Sequence, residues 1–518
     1  MSTTRKLLSG AFGGVGFTAV SMAISFFQLR VLLHHMSMVM AGIWLIFLNL
    51  GNYAMFLDIG LTPTLGREIS FASANPNLSE AERSERIGTL VRSCTVIVAA
   101  LSTLVILVAG PIGWRYLHSI TPAGIWASTQ AAWAIFIFAT ALNLLGQGWF
   151  AGIYGLGEVF SEKLIRSASA IAGFVFLVIA LARGAGLVGC AIAYLLQASI
   201  NIALARIVLF RATAGATAKG RFDLRLIRDM VGPSLKYAAT LLGTILILQT
   251  DNLVIASVLG PRLIPDYQAV AKIITALMSL SMMLVMTSMP LMSQAFSRKD
   301  ISAIVRLSTR NVRYTLTAMI VLGSFVATFS DRVIAVWLGP GHFVGFPIVW
   351  VMLVVMVLET HHQSMGAATM ATGRIVFVVP ALLAGAINIV ASVFLAKRYG
   401  VLGVVLGTMV AQIGTNNWYA PWYTMRLFGI SVKEHMQGVI APAVGLLAVL
   451  LSLGFGLRVV TGRLSNLLSD EISALVVATA GAIGFVLIMV TPPERQTLLK
   501  WLRQLGFRWT AAPPTDAL

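Results

Sequence analysis

Apolar residues run along this chain in blocks of about twenty, and a block of that length crosses the hydrocarbon core of a bilayer as an α-helix. With a window of about 19 residues the blocks predict helices over residues 10–33, 40–58, 90–113, 123–147, 164–182 and 184–206. A second group of six falls at 232–259, 265–293, 310–330, 345–372, 376–397 and 400–424, and two more follow at 438–458 and 472–490. The expected fold is an all-α integral membrane protein of about fourteen transmembrane helices. Its expected divisions are a six-helix lobe over 1–210, a cytoplasmic basic linker over 211–231, a second six-helix lobe over 232–430, two additional transmembrane helices over 431–490 and a cytoplasmic tail over 491–518.

The two groups of six share features at an offset of about 214 to 227 residues. FFQLRVLL around Arg30 aligns with LILQTDNLVI around Asp251, and GLTPTLGREIS with TSMPLMSQAFS through Pro63 and Pro290. LVRSCT aligns with NVRYTL through Arg92 and Arg313, and GLVGCAIAYLLQ with GVLGVVLGTMVAQ through Gln197 and Gln412. Six is even, so both groups have the same topology and the pseudo-repeat is parallel, with its axis along the membrane normal.

Composition supports a membrane solvent. Of 518 residues 58% are hydrophobic and 11% charged, less than half the charged fraction of a soluble protein, and mean hydropathy is +0.87. The net charge of +18 does not indicate nucleic acid, because the basic residues are scattered through short loops and form no basic domain. Roughly 26 of the 37 Lys and Arg fall on the N-terminal side of the alternating loops, among them Arg67, Arg83, Arg86, Arg211, Arg221, Arg225, Arg228, Arg298 and Lys299. About eight fall on the other side, which places both termini in the cytoplasm. The tail over 494–509 then reads as a basic amphipathic helix on the inner leaflet, with Leu498, Leu502 and Leu505 on one face and Lys500, Arg503 and Arg508 elsewhere. Arg5 and Lys6 precede an apolar stretch without a small-residue cleavage site, so an uncleaved first helix is expected. Cys94 and Cys190 lie inside apolar runs with no ligand spacing, and neither a disulfide nor a metal site is expected.

The segments LDIGLTPTLGREIS, LIRDMVGPSLKYA and LQTDNLVIASVLGPRLIPDYQAVAKI give the chain a resemblance to the Wzx-type lipid-linked oligosaccharide flippases of the multidrug/oligosaccharidyl-lipid/polysaccharide (MOP) exporter superfamily. The last segment resembles that family's Asp-containing helix seven, followed by the Tyr and Lys of helix eight. The two helices beyond a twelve-helix core also resemble the saccharide-exporting branch. The resemblance implies a pair of six-helix lobes around a cavity that opens alternately to either side. The implied cargo is a polyprenyl-diphosphate-linked oligosaccharide whose lipid tail stays in the bilayer.

Ionisable residues inside apolar helices are costly, by roughly 2.5 to 3.5 kcal/mol on insertion scales, and point to function. Arg30, Asp251 and Lys272 are expected at similar depth in the outer half of helices one, seven and eight. Arg30 and Asp251 are repeat mates, so an ion pair closing the outer side is expected, with a packing bridge as the plainer reading. Lys272 is read either as a phosphate contact or as a lysine snorkelling to the outer interface. Gln249, Gln147 and Asn143 complete the cavity candidates; Asn388, Gln412 and Asn416 are further polar groups able to bond sugar hydroxyls or to join helices. Asp251, Glu359, His361 and His362 are the candidates for proton coupling. The adjacent histidines point about 100° apart, which argues against a shared zinc ion. Asp58 and Arg67 are expected to brace a cytoplasmic loop, and Trp418, Tyr419, Trp422 and Tyr423 to form an aromatic belt or stack on sugar rings.

Two other functions compete with a flippase. A cation-coupled exporter of small amphipathic compounds uses the same architecture, and an acidic cavity would favour it. A polymerase, ligase or glycosyltransferase of the same pathway needs a catalytic outer loop, whereas the outer loops here are short and carry no paired carboxylates or nucleophile elbow. No enzyme activity and no cofactor are expected, and no phosphate-binding loop is present for ATP. The expected location is the bacterial inner membrane, among membrane lipids and beside the polymerase and export components of a polysaccharide pathway. The topology is testable: reporter fusions after Arg221 and after Arg298 should both report the cytoplasm, and a periplasmic signal from either would refute it.

Overall fold

An apolar chain in hydrocarbon satisfies its backbone within helices, and helices account for all the regular structure among the described residues. The computed structural model describes residues 3–490 apart from 56, 57, 59, 214, 216–219, 227, 231, 233, 235–248, 375 and 462–466. The amphipathic tail over 494–509, most of the expected helix over 232–259 and part of the 211–231 linker lie outside the described residues.

The chain begins with α1 (Thr3–His35), α2 (Met38–Met55), α3 (Leu61–Ala74), α4 (Glu80–Leu104), α5 (Gly110–Ile120), α6 (Trp126–Gly155), α7 (Val159–Ala182) and α8 (Gly186–Ala212). It continues with α9 (Thr250–Val254), α10 (Ile264–Ser297), α11 (Ile301–Leu338), α12 (Phe346–Met370), α13 (Val378–Tyr399), α14 (Val401–Gly414) and α15 (Asn416–Phe428). Last come α16 (Val432–His435), α17 (Ala441–Thr461) and α18 (Leu467–Gly484). Among the described residues, 11 helices are long and apolar enough to cross a membrane, and shorter apolar helices cover Thr250–Leu259 and Leu475–Leu487. Apart from the span expected over 232–259, of which little but the end is described, each expected span overlaps described helix.

Several boundaries differ from the hydropathy reading, some for a visible local reason. The helix expected from residue 90 starts at Glu80, because Ser79 and Glu82 form a capping box that satisfies the first free N–H groups ahead of the apolar run. It reaches Ile120 through a π-helical turn at Val105–Ala109. Between α2 and the 80–120 helix lies a separate helix, α3. Gly60 turns the chain with φ 69°, a conformation that favours glycine, and the Asp58 carboxylate accepts the Thr62 N–H at 3.2 Å and its hydroxyl at 2.8 Å. Burial pushes the Asp58 carboxyl up, and the Thr62 bonds oppose the shift. The helix expected over 400–424 breaks at Thr415 into α14 and α15.

The fold divides into two compact units. One comprises Met1–Ile273, Ile334–Val351 and Ile375–Asn416; the other comprises Ile274–Val333, Met352–Arg374 and Asn417–Leu518. In the first, an aromatic cluster joins α2, α6 and α8: Trp44 meets Phe136 edge-on at 5.7 Å, Phe47 meets Trp133 at 5.2 Å, and Phe136 stacks on Tyr194 at 4.8 Å. Helices α13 and α14 pack at very short range because Gly403 and Gly407 face α13 without side chains. In the second unit, Val312, Leu316 and Ile320 of α11 share a core with Val439, Ala443, Leu446 and Leu450, so the C-terminal helices are part of that unit's interior. Arg458 of α17 grips the Asp331 carboxylate with two bonds at 2.8 and 2.6 Å, a forked geometry only arginine provides. Residues such as Val390, Phe394 and Val459, each at least 70% exposed, form a surface that hydrocarbon solvates.

The close pair generates a prediction. A Cβ at Gly403 would run into the Leu395 carbonyl, and one at Gly407 into the Ser392 backbone. Gly403→Ala and Gly407→Ala should each destabilise the protein by about 1–3 kcal/mol, read as a lowered melting temperature in detergent. Unchanged melting would show that α13 and α14 tolerate a wider spacing.

Candidate functional site

Asp251 lies in the first turn of α9 and is buried at 7% exposure, where an ionised carboxylate needs donors to replace water. Tyr267 of α10 donates its hydroxyl to one carboxylate oxygen at 2.6 Å, and Thr408 of α14 lies 3.0 and 3.3 Å from the two oxygens. The Asn388 side chain of α13 also bonds the carboxylate, and Ser392 donates to Asn388 at 2.9 Å. Neutral groups from three helices therefore enclose one acidic side chain. The neighbours of Asp251 are tied down in the same way: Asn49 donates to Gln249 at 2.6 Å, Tyr53 meets Thr250 at 3.1 Å, and Gln268 donates to Asn252 at 2.8 Å. One turn beyond Thr408, Gln412 is 1% exposed, and neither amide atom has a partner among the described residues.

Lys272 lies five residues beyond Tyr267, about 140° around α10, and so faces a different neighbour. Its Nζ donates to Ser25 Oγ of α1 at 2.5 Å, and no carboxylate among the described residues pairs with it. Ser25 also lines a cavity of about 220 Å³ whose wall is built from α1, α2, α7 and α8. That wall includes no charged residue.

In the second unit, Glu359 lies 3.3 Å from His362 one turn along α12 and accepts from Gln363 at 2.7 Å. His362 contacts Asn417 at 3.1 Å, while His361 meets His435 nitrogen to nitrogen at 2.9 Å. The two histidines thus address different partners, as a step of about 100° along a helix requires. In a His361–His435 hydrogen bond one ring donates and the other accepts, so the pair shares one proton between its facing nitrogens.

With this geometry in view, three comparisons place the chain. Residues 49–296 match the family described as polysaccharide biosynthesis protein. An uncharacterized membrane protein, EpsK, of Bacillus subtilis (strain 168) is 22% identical over 272 residues, 51% of this chain; the matched part is 52% of that protein, so the chain spans about half the length of the curated relative it matches. Lipid II flippase MurJ in an inward closed conformation is 13% identical with a TM-score of 0.64, over 95% of this chain and 100% of that one. An inward-facing multidrug resistance MATE family transporter of the MOP superfamily is 12% identical with a TM-score of 0.64, over 80% of this chain and 96% of that one. The chain has the fold of these MurJ and MATE structures.

On this fold the sequence-derived candidates separate. Asp251 and Gln249 come together in the α9 cluster, and Lys272 stands apart from them against α1. Arg30 is exposed and makes no ion pair with Asp251, whose oxygens are already taken up by neutral donors. Gln147 accepts from Arg166 at 3.0 Å, within an Arg166–Glu162 pair, and Asn143 bonds the Tyr194 hydroxyl. Both therefore hold helices of the first unit together in this conformation. Hydropathy did not single out Thr408, Ser25 or His435, because a lone hydroxyl or a terminal histidine leaves no mark in an apolar window. Their only signal is the partner that the fold supplies.

The Asp251 cluster is testable by a double-mutant cycle. Tyr267→Phe and Thr408→Val should each cost about 1–3 kcal/mol of stability, since each removes a donor from a buried carboxylate. In an Asp251→Asn background the cost of Tyr267→Phe should fall by at least about half. Additive effects would show that Tyr267 and Asp251 are not coupled.

Proposed function

We propose that the chain flips a polyprenyl-diphosphate-linked oligosaccharide from the cytoplasmic to the outer leaflet of a bacterial inner membrane, for assembly of a surface or secreted polysaccharide. The observation that carries this reading is Lys272: a half-buried cation on a membrane helix that binds a serine hydroxyl and, among the described residues, no carboxylate, leaving its charge available to phosphate. The family match over 49–296 includes Asn49, Gln249, Asp251, Tyr267 and Lys272, which supports a saccharide cargo for the same segment. Arg30 and Lys272 are the proposed cationic contacts; Asp251, Gln249, Gln147 and Asn143 are proposed to line the path in other conformations.

A diphosphate bearing several sugars cannot enter hydrocarbon unaided, since each unpaired charge and each unbonded hydroxyl costs several kcal/mol. A polar cavity exposed alternately to the two sides removes that barrier, and lobes over 1–210 and 232–430 are the proposed moving bodies. An inside-negative potential assists outward passage of negative charge by roughly 2.3 kcal/mol per charge per 100 mV. Asp251 and the Glu359–His362 pair, with His361, are the proposed places for coupling to protons. A second reading, a cation-coupled exporter of small amphipathic compounds, is favoured by one observation: Asp251 is an acidic side chain enclosed by neutral groups, open to exchange with a cation.

A deletion strain decides between the two. Loss of polymer with lipid-linked repeat units trapped on the cytoplasmic face supports the flippase; normal polymer with new sensitivity to cationic drugs supports the exporter. Lys272→Ala should cut polymer at least about tenfold at normal membrane abundance, and Lys272→Arg should restore part of it. Wild-type polymer from Lys272→Ala would remove the cationic contact from the proposal.

A further inference from the structure

The cavity beside Lys272 has a chemical pattern of its own. Its polar lining consists of hydroxyls (Ser21, Ser25 and Tyr194), amides (Gln28 and Gln197) and the indole of Trp44, with no charged group. The rest of its wall is apolar or aromatic, including Phe174. Trp44 is 1% exposed and its Nε1–H has no acceptor among the described residues, although a buried donor is costly to leave unpaired. The packing around Gln197 also holds its amide in place. A Cβ at Gly173 would stand 2.8 Å from Gln197 Cβ and 3.0 Å from its Oε1, so only glycine leaves that side chain its present position. Amides that both donate and accept, hydroxyls that do either, aromatic faces and one unused N–H match a neutral polyhydroxylated ring. Such a ring presents hydroxyls at its edge and C–H groups on its faces.

The mouth of the cavity adds a constraint. Ser25 lines it and is also the residue that Lys272 touches at 2.5 Å, so a ligand seated in the cavity has the ammonium group immediately beside it. A diphosphate at Lys272 then brings the sugar directly attached to it beside the cavity.

We propose that this cavity between α1, α2, α7 and α8 is a sugar-ring subsite that takes the saccharide residue bonded to the diphosphate. The proposal rests on the flippase reading and assigns to Trp44, Gln28 and Gln197 the recognition of that first sugar, while Lys272 serves the phosphate. Selectivity among lipid-linked saccharides then resides in hydrogen-bond matching at this one ring, because a mismatched hydroxyl would leave a buried partner unpaired. Water occupies such polar cavities until a ligand with a matching pattern displaces it.

The test uses the full chain purified in detergent and two kinds of probe: citronellyl diphosphate, and the same carrier bearing one hexose or one N-acetylhexosamine. With the wild type, the best sugar-bearing probe should bind about tenfold more tightly than the bare carrier, the value of one or two hydrogen bonds. Trp44→Phe, which keeps the aromatic ring and loses the N–H, and Gln197→Leu should each reduce that ratio to about threefold or less. Their affinity for the bare carrier should stay within about twofold of wild type, which also shows that they fold. Lys272→Ala should weaken both probes together. Equal affinity of wild type for bare and sugar-bearing carriers, or variants that weaken both probes alike, overturns the subsite and leaves the flippase reading standing. Failure of the wild type to bind either probe overturns both.

Discussion

Hydrocarbon offers no hydrogen bonds, so every polar group that the chain carries into the bilayer must find its partner within the protein or face a wet cavity. That constraint explains the helical architecture, in which each backbone group is bonded within its own segment. It also explains why departures from apolar character are concentrated in clusters. Asp251 is held by Tyr267, Thr408 and Asn388, and the polar residues on either side of it are each bonded to another helix. Removing any one donor leaves a buried oxygen without compensation, so the cluster ties α9 to α10, α13 and α14 as firmly as apolar packing does.

Three ionised groups meet this constraint in different ways. Asp331 is matched by the Arg458 fork, which neutralises charge and satisfies both oxygens; such a pair fastens α17 to α11. Asp251 has neutral donors, which satisfy its hydrogen bonds without cancelling its charge. Lys272 has a single hydroxyl and retains both its charge and two further donors. The order from Asp331 to Lys272 runs from structural to available, and it separates a helix-fastening bridge from groups able to meet a charged ligand. Counting charges within apolar helices makes no such distinction.

The likeness to MurJ and MATE structures at 12–13% identity shows how little of a membrane fold is carried by particular residues. Apolar positions interchange freely against lipid. What a close helix pair needs is narrower: Gly403 and Gly407 let α13 approach α14, so that Ser392 donates across to the Val404 carbonyl and Asn388 accepts from Thr408. Close approach and polar contact therefore go together, because helices joined by hydrogen bonds must first be near enough to form them.

Hydropathy alone determined the all-α membrane class and the approximate positions of most described spans, though not α3 or the break at Thr415, since about twenty apolar residues have one low-energy arrangement in a bilayer. Sequence also exposed Asp251, Lys272, Glu359 and the adjacent histidines, because an ionisable residue in an apolar run is costly enough to stand out. A capping box at Ser79 and Glu82 and a left-handed glycine at Gly60 were written in the chain too, but a hydropathy window averages over them. The partners were decided only by tertiary structure. Arg30 and Asp251, mates in the expected repeat, form no ion pair, as side chains of Tyr267 and Thr408 from other helices hold the carboxylate. Ser25 beside Lys272, His435 beside His361 and the cavity under Trp44 depend on residues far apart in the chain, and which helix faces which is settled by packing, where local periodicity has no say.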